Sequence, residues 1–374
     1  MNKLHLPRFF SKAVFIVFLF VVGFVGSYLA NSNYQTKAHQ QIIQSFLNCE
    51  QHELDQTGFE RSERYYCYLK SIEQAIRANG LESMVEAFTQ YQGTEQGELL
   101  RGARCHSIGH LIGEVAVDEG IEPEILLRQC TTVCPYDMNS NVEGVDLGCL
   151  NGASHAFLLS SQSVSQAQEY CATQSDDPEV EAGCFHGVGH GIAELVQFNI
   201  SDGLEKCNQL IGEEAQYQCG HAVLMEPLMV EYAPLQTVPE DMNSFCSTTP
   251  EIYKKSCYEF SGFLTFVRTA DVFQATQTCS SVPSNYAKDC FFRLGEVATI
   301  RYGLKSTELA DSCQAVQGLE NQKACIEGIV STLLYSPNIS VSQVIIDWCE
   351  DSFTEQLQQI CVDRAEEMIT VKSL

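Results

Sequence analysis

The fold class predicted by the sequence is all-α: a solenoid of disulfide-stapled helical hairpins behind one N-terminal transmembrane helix. Cysteines recurring in pairs at a fixed period predict the hairpins. Runs of helical periodicity follow the second cysteine of each pair, as in Cys290-Phe-Phe-Arg-Leu-Gly-Glu-Val-Ala-Thr-Ile. No Val/Ile-rich strands alternate with these runs, which disfavours an α/β chain.

Taken in order, residues 1–12 form a basic tail with Lys3, Arg8 and Lys12 and no acid. Ala13 to Ala30 is an apolar run of 18 residues, within the roughly 17–25 that a spanning helix needs. The basic side stays in the cytoplasm, so the membrane is a partner through residues 13–30 and the body lies in the periplasm or outside the cell. A cleaved signal peptide is the alternative, although Tyr28-Leu29-Ala30 is a poor small-x-small cleavage site. Either export route suits eighteen cysteines, an even count, in an oxidising compartment. Setting the three basic residues of the tail aside leaves 19 basic against 48 acidic residues. That balance argues against nucleic acid as a partner and favours cations or basic ligands.

The staples predict themselves from spacing. Cys171 and Cys184, Cys207 and Cys219, Cys246 and Cys257, Cys279 and Cys290, Cys313 and Cys325, and Cys349 and Cys361 lie 11 to 13 residues apart. Their first members are separated by 36, 39, 33, 34 and 36 residues, a helix-turn-helix period. The second cysteine is expected to open one helix and the first to close the preceding one, with a polar loop between. Closing such a loop contributes on the order of 3 kcal/mol in the chain-entropy model. Cys49 and Cys67 read as an opening pair with a longer loop. The period pairs Cys134 with Cys149 and sends Cys105 to Cys130, but the four cysteines allow three pairings and spacing alone leaves them open. Residues 31–104 thus read as N-terminal hairpins, 105–245 as histidine-bearing repeats, and 246–374 as stapled repeats that serve as scaffold, cap or partner surface.

The chemistry is expected in the middle section. Cys184 to Glu194 reads Cys-Phe-His-Gly-Val-Gly-His-Gly-Ile-Ala-Glu, which sets His186, His190 and Glu194 on one helical face. His106, His110 and Glu114 repeat the pattern eighty residues earlier, and His155 and His221 fall in the same cysteine-anchored frame. Six of the nine histidines and two glutamates would therefore share one wall. Histidine and carboxylate from neighbouring helices are ligands for Fe, Zn or Cu, so a transition metal ion is the expected cofactor. Two similar His/His/Glu sets suggest a pair of ions. The competing expectation is a hydrogen-bonded polar seam with no ion. Glycines 109, 113, 152, 187, 189 and 191 each cost helix stability, and close packing or room for a ligand would explain them. Glu259 and Glu296 occupy similar offsets in later units, where lone glutamates usually face solvent. Asn199-Ile-Ser and Asn338-Ile-Ser match glycosylation sequons, relevant only to a eukaryotic secretory host.

In period and helix pairing residues 40–374 resemble a tetratricopeptide-type solenoid, without its consensus residues. The histidine layout resembles deoxyhypusine hydroxylase, a helical-repeat protein whose repeats hold two irons through histidine and glutamate, although its adjacent His-Glu motif does not occur here. What the resemblance implies is geometry rather than substrate. The function expected is that of an exported, membrane-anchored metalloprotein, a metal-dependent oxidoreductase or hydrolase. The alternative is a non-catalytic scaffold holding a protein or peptide partner in the repeat groove.

Overall fold

The computed structural model describes residues 37–49, 63–92, 103–130, 148–174, 177–229, 238–302, 307–335 and 342–372. These residues contain 18 helices and no strand, so the all-α expectation holds for them. Among the described residues no helix is long and apolar enough to cross a membrane, and the run Ala13–Ala30 lies outside them.

Three helices open the described chain: α1 over 37–49, α2 over Glu63–Asn79 and α3 over Leu81–Gln92. Phe46, Tyr68 and Phe88, each fully buried, join them into one core, with Phe46 set edge-on to Phe88 at 5.7 Å between ring centres. From there long and short helices alternate. The long ones are α4 (Ala103–Asp118), α6 (Gly148–Ser161), α8 (Pro178–Leu195), α10 (Glu213–Met229), α12 (Glu251–Thr269), α14 (Ser284–Tyr302), α16 (Leu319–Tyr335) and α18 (Glu355–Lys372). Each packs against the next, so they form a continuous row. Between them lie α5 (Pro123–Cys130), α7 (Val164–Gln174), α9 (Ile200–Cys207), α11 (Met242–Thr248), α13 (Val272–Ser281), α15 (Thr307–Gln314) and α17 (Ser342–Ser352), each packed on the long helix that follows it. Two apolar clusters fill the interior and meet at α6, which gives Cys149 and Ala153 to one and Leu150 and Leu158 to the other.

The helix starts are written in the sequence. Asp177 caps α8 by accepting from the Glu179 amide at 3.0 Å, and Pro178 takes the first position, where its missing N–H costs nothing. Asp271 caps α13 by accepting from the Phe273 and Gln274 amides. Asn199 caps α9 through its side chain, which the Asp202 amide donates to at 3.2 Å, so the first sequon is a helix cap here. Asn338 lies outside the described residues. At the end of α4, Gly120 adopts a left-handed φ of 73°, and the Ile121 amide reaches back to Ala116 O, a glycine-dependent stop.

The staples form as the spacing predicts for Cys49–Cys67, Cys171–Cys184, Cys207–Cys219, Cys246–Cys257, Cys279–Cys290, Cys313–Cys325 and Cys349–Cys361. Their place in the helices differs from expectation. In α8, α10, α12, α14, α16 and α18 the second cysteine is the seventh helical residue, so it sits well inside the helix instead of opening it. The polar stretch before it reads as loop by composition, yet it is the exposed start of the helix.

One pairing is corrected. Cys130 bonds to Cys149 with 5.1 Å between Cα atoms, which excludes both Cys134–Cys149 and Cys105–Cys130. Cys130 ends α5 as Cys207 ends α9, so position in the short helix, rather than residue count, selects the partner. The separation here is 19 residues, and the longer connection shifts the count that favoured Cys134. The Cys105 and Cys134 side chains lie outside the described residues. Peptide mapping of unreduced protein is expected to recover a Cys130–Cys149 peptide, and thiol counting after denaturation to find no free cysteine. A Cys134–Cys149 peptide would refute this register.

Candidate metal centre

The four helices α4, α6, α8 and α10 approach one another at backbone distance, and glycine permits it. A Cβ on Gly152 would lie 1.8 Å from His110 O, and one on Gly113 would lie 1.9 Å from Cys149 O, a reciprocal contact between α4 and α6. The same holds for Gly187 against Asn151 O at 2.1 Å and Gly189 against Cys219 O at 2.3 Å. Packing therefore accounts for these glycines. Its consequence is chemical, since side chains on adjacent helices are brought within reach of one another.

The histidines form a connected series along this row. His110 and His155 have ring centres 5.6 Å apart, His110 and His190 5.7 Å, His155 and His190 6.3 Å. The series continues from His190 to His186 at 4.8 Å and from His186 to His221 at 5.6 Å. His155 and His190 are buried among them. The His106 side chain lies outside those described.

Carboxylates meet the imidazoles at short range. Glu114 Oε1 is 2.9 Å from His110 Nδ1 and 3.2 Å from His155 Nδ1, while Glu194 Oε2 is 3.2 Å from His155 Nε2. The His155 Nδ1 contact is electrostatic, lacking the alignment of a hydrogen bond, so this buried nitrogen has no hydrogen-bond partner. Burial alone would lower the His155 pKa, but carboxylates at both ring nitrogens overcome it and push the value up to about 10. Burial would likewise raise Glu114, and the two histidines hold it well below the usual carboxylate range instead. At the far end burial pulls His221 down to about 4, and its Nδ1 lies 3.1 Å from Ser256 Oγ.

Glu226 on α10 is the site residue that the cysteine frame missed. It is buried, and its carboxylate pairs directly with His190 Nδ1. Burial raises its pKa. The legible signal was a single acid inside the apolar run Ala222 to Met229. Glu259 and Glu296 also differ from expectation, because Glu259 is buried and Glu296 is partly buried. Arg293 donates to Glu259 Oε1 and, through Nη1, to Glu296 Oε2 at 2.8 Å, and its guanidinium lies 5.2 Å from the Phe260 ring centre. They form a closed ion cluster beyond the histidines.

His110, Glu114 and His155 offer one ligand atom each, all within 4.8 Å of one another. Two imidazoles and a carboxylate, one nitrogen lacking a hydrogen-bond partner, are a donor set that divalent transition ions accept. Comparison of the chain with protein-family models, curated proteins and solved structures finds no match.

Proposed function

We propose that this chain is an extracytoplasmic metalloprotein, anchored through residues 13–30, whose stacked hairpins wind as a solenoid and present a transition-ion site on His110, Glu114 and His155. The convergence of those three ligand atoms within 4.8 Å, in helices pressed together by glycine contacts, carries the reading. Bound there, Fe, Zn or Cu would supply Lewis-acid or redox chemistry, the activity of a hydrolase or oxidoreductase. Glu194, with its side chain 52% exposed, pairs with the His155 edge remote from Glu114 and orients that ring. Glu226 fixes the His190 ring by accepting at Nδ1, the supporting carboxylate that ligand histidines commonly have. The low-dielectric surroundings of His155 and His190 strengthen every such contact.

A second reading has its own observation: the carboxylates of Glu114, Glu194 and Glu226 all meet imidazoles directly, as a polar seam in a non-catalytic scaffold would require. Elemental analysis separates the two. Full-length protein made in an oxidising compartment, without a metal-carrying tag, is expected to retain stoichiometric metal. His110→Ala and His155→Ala should lose it, whereas Glu296→Gln, in the Arg293 cluster, should not. Wild type without metal under metal-replete conditions supports the scaffold.

A further inference from the structure

We propose that the open cleft between α11, α12 and α13 binds a small uncharged sugar, a mono- or disaccharide, through the hydroxyls of Thr265, Thr278 and Ser281 and the amide of Gln277. The cleft holds about 510 Å³ and is lined almost wholly by polar side chains. That volume lies within the roughly 300–1,000 Å³ of small-molecule sites. Its origin can be read from the repeat. Eight residues after the second cysteine the other long helices carry an apolar residue, Phe157, Ile192, Pro227, Ala298, Leu333 or Ile369, whereas α12 carries Thr265. Immediately before the first cysteine stand Tyr170, Lys206, Phe245 and Trp348, whereas α13 carries Thr278. Between α6 and α7 these two positions meet as Phe157 stacked on Tyr170, with 4.4 Å between ring centres. Between α12 and α13 they meet as Thr265 Oγ1 donating to Thr278 Oγ1 at 3.2 Å. Two threonines thus stand where another hairpin packs two aromatic rings, and the volume left over is the cleft. Small size alone does not open it, since Ala298 and Ser312 at the same two positions are fully buried while Thr265 and Thr278 are half-buried.

The chemistry of the lining selects the ligand. Hydroxyl and amide groups both donate and accept, as a sugar hydroxyl does. The wall that carries them is held in place, because Asn243 Nδ2 donates to Thr278 O at 3.0 Å and to Ser281 Oγ at 2.7 Å, which ties α11 to α13. A wall fixed before the ligand arrives reduces the ordering cost of binding. The charges at the cleft are already engaged. Arg268 Nη2 lies 2.9 Å from Glu240 Oε1, and the Asp241 carboxylate caps α11 by accepting from the Ser244 amide at 3.0 Å. Gln277 is neutral at a position where other short helices carry Glu169, Glu205, Asp311 and Asp347. Neither sign of charge is left to select an ion, so the matching ligand is uncharged and rich in hydroxyls.

Saturation-transfer NMR on the full chain, extracted in a detergent without a sugar headgroup, tests this with glucose, galactose, mannose, N-acetylglucosamine and their disaccharides. At least one of them is expected to bind. Thr265→Phe combined with Thr278→Tyr installs the Phe157–Tyr170 pair in this hairpin and should abolish that binding. Gln277→Ala, a change at an exposed side chain, should weaken it about 2- to 10-fold. Binding is read in the wild type and in the Gln277 variant, so a filled variant that does not fold leaves the test intact. No sugar bound by the wild type, or binding that survives both sets of substitutions, overturns the proposal. Tighter binding of glycylglycine than of any sugar overturns it as well, by showing that the cleft prefers a charged ligand. The result is independent of the metal reading, whose proposed ligands lie on α4 and α6.

Discussion

Gly152→Ala is expected to destabilise the protein by about 3 kcal/mol and to scatter the proposed metal ligands, although alanine is the better helix former. The added carbon would lie 1.8 Å from His110 O and 2.6 Å from the carbonyl carbon, both backbone atoms that no rotamer change relieves. Helices α4 and α6 must separate, and the opposed contact of Gly113 with Cys149 O opens with them. Since His110 and Glu114 ride on one helix and His155 on the other, the proposed ion site loses its geometry in the same step. Intrinsic propensity favours alanine by about 1 kcal/mol, so the sign of the measured change decides whether close approach governs this position. Chemical denaturation and metal affinity should fall together, and an alanine variant as stable as wild type would show that the helices are not in backbone contact.

The second large effect concerns pH in the metal-free protein. His155 is raised to about 10 in the fold and returns to about 6.5 on unfolding. Its contribution is therefore complete below about pH 6.5 and disappears as pH rises through 10. Glu114 is lowered, so its contribution is present above about 4.5 and is lost as pH falls through its folded value. The pair stabilises most between those limits, and unfolding free energy should drop by a few kcal/mol from pH 6.5 to 10. Glu114→Gln leaves a buried imidazolium short of one partner and should cost roughly 3 kcal/mol near pH 6.5. His155→Gln should flatten the alkaline decline. An unchanged decline in that variant would assign the titration to another group. Metal affinity should move the opposite way, rising with pH through neutrality, because an ion displaces the His155 proton.

Spacing made the hairpins legible because each staple closes within one unit, and local geometry repeats where local sequence does. It failed at Cys149, where a longer connection put Cys134 at the expected count while the end of α5 held Cys130. The histidine frame was legible for a similar reason: glycine-mediated contacts keep α4, α6 and α8 in register, so equal offsets become neighbouring rings. Glu226 was not legible from offsets, since it lies seven residues after Cys219, outside the i, i+4 series. Its pairing with His190 on another helix is tertiary. Arg293 likewise draws two glutamates expected in solvent into a partly buried cluster, and only the packing of α12 on α14 brings Glu259 to it.

The Cys130–Cys149 bond also bears on how the chain matures. Seven of the described bonds join cysteines adjacent in sequence, so each can close as soon as its own unit is complete. The bond to Cys149 spans Cys134, and an oxidant acting in order of emergence meets Cys130 and Cys134 first, four residues apart. Native connectivity there requires waiting for Cys149 or exchanging an early bond for the later one. Helix α6, which carries His155, is thus the segment whose oxidation must either wait for Cys149 or pass through thiol–disulfide exchange, and the packing of His155 against its neighbours inherits that timing.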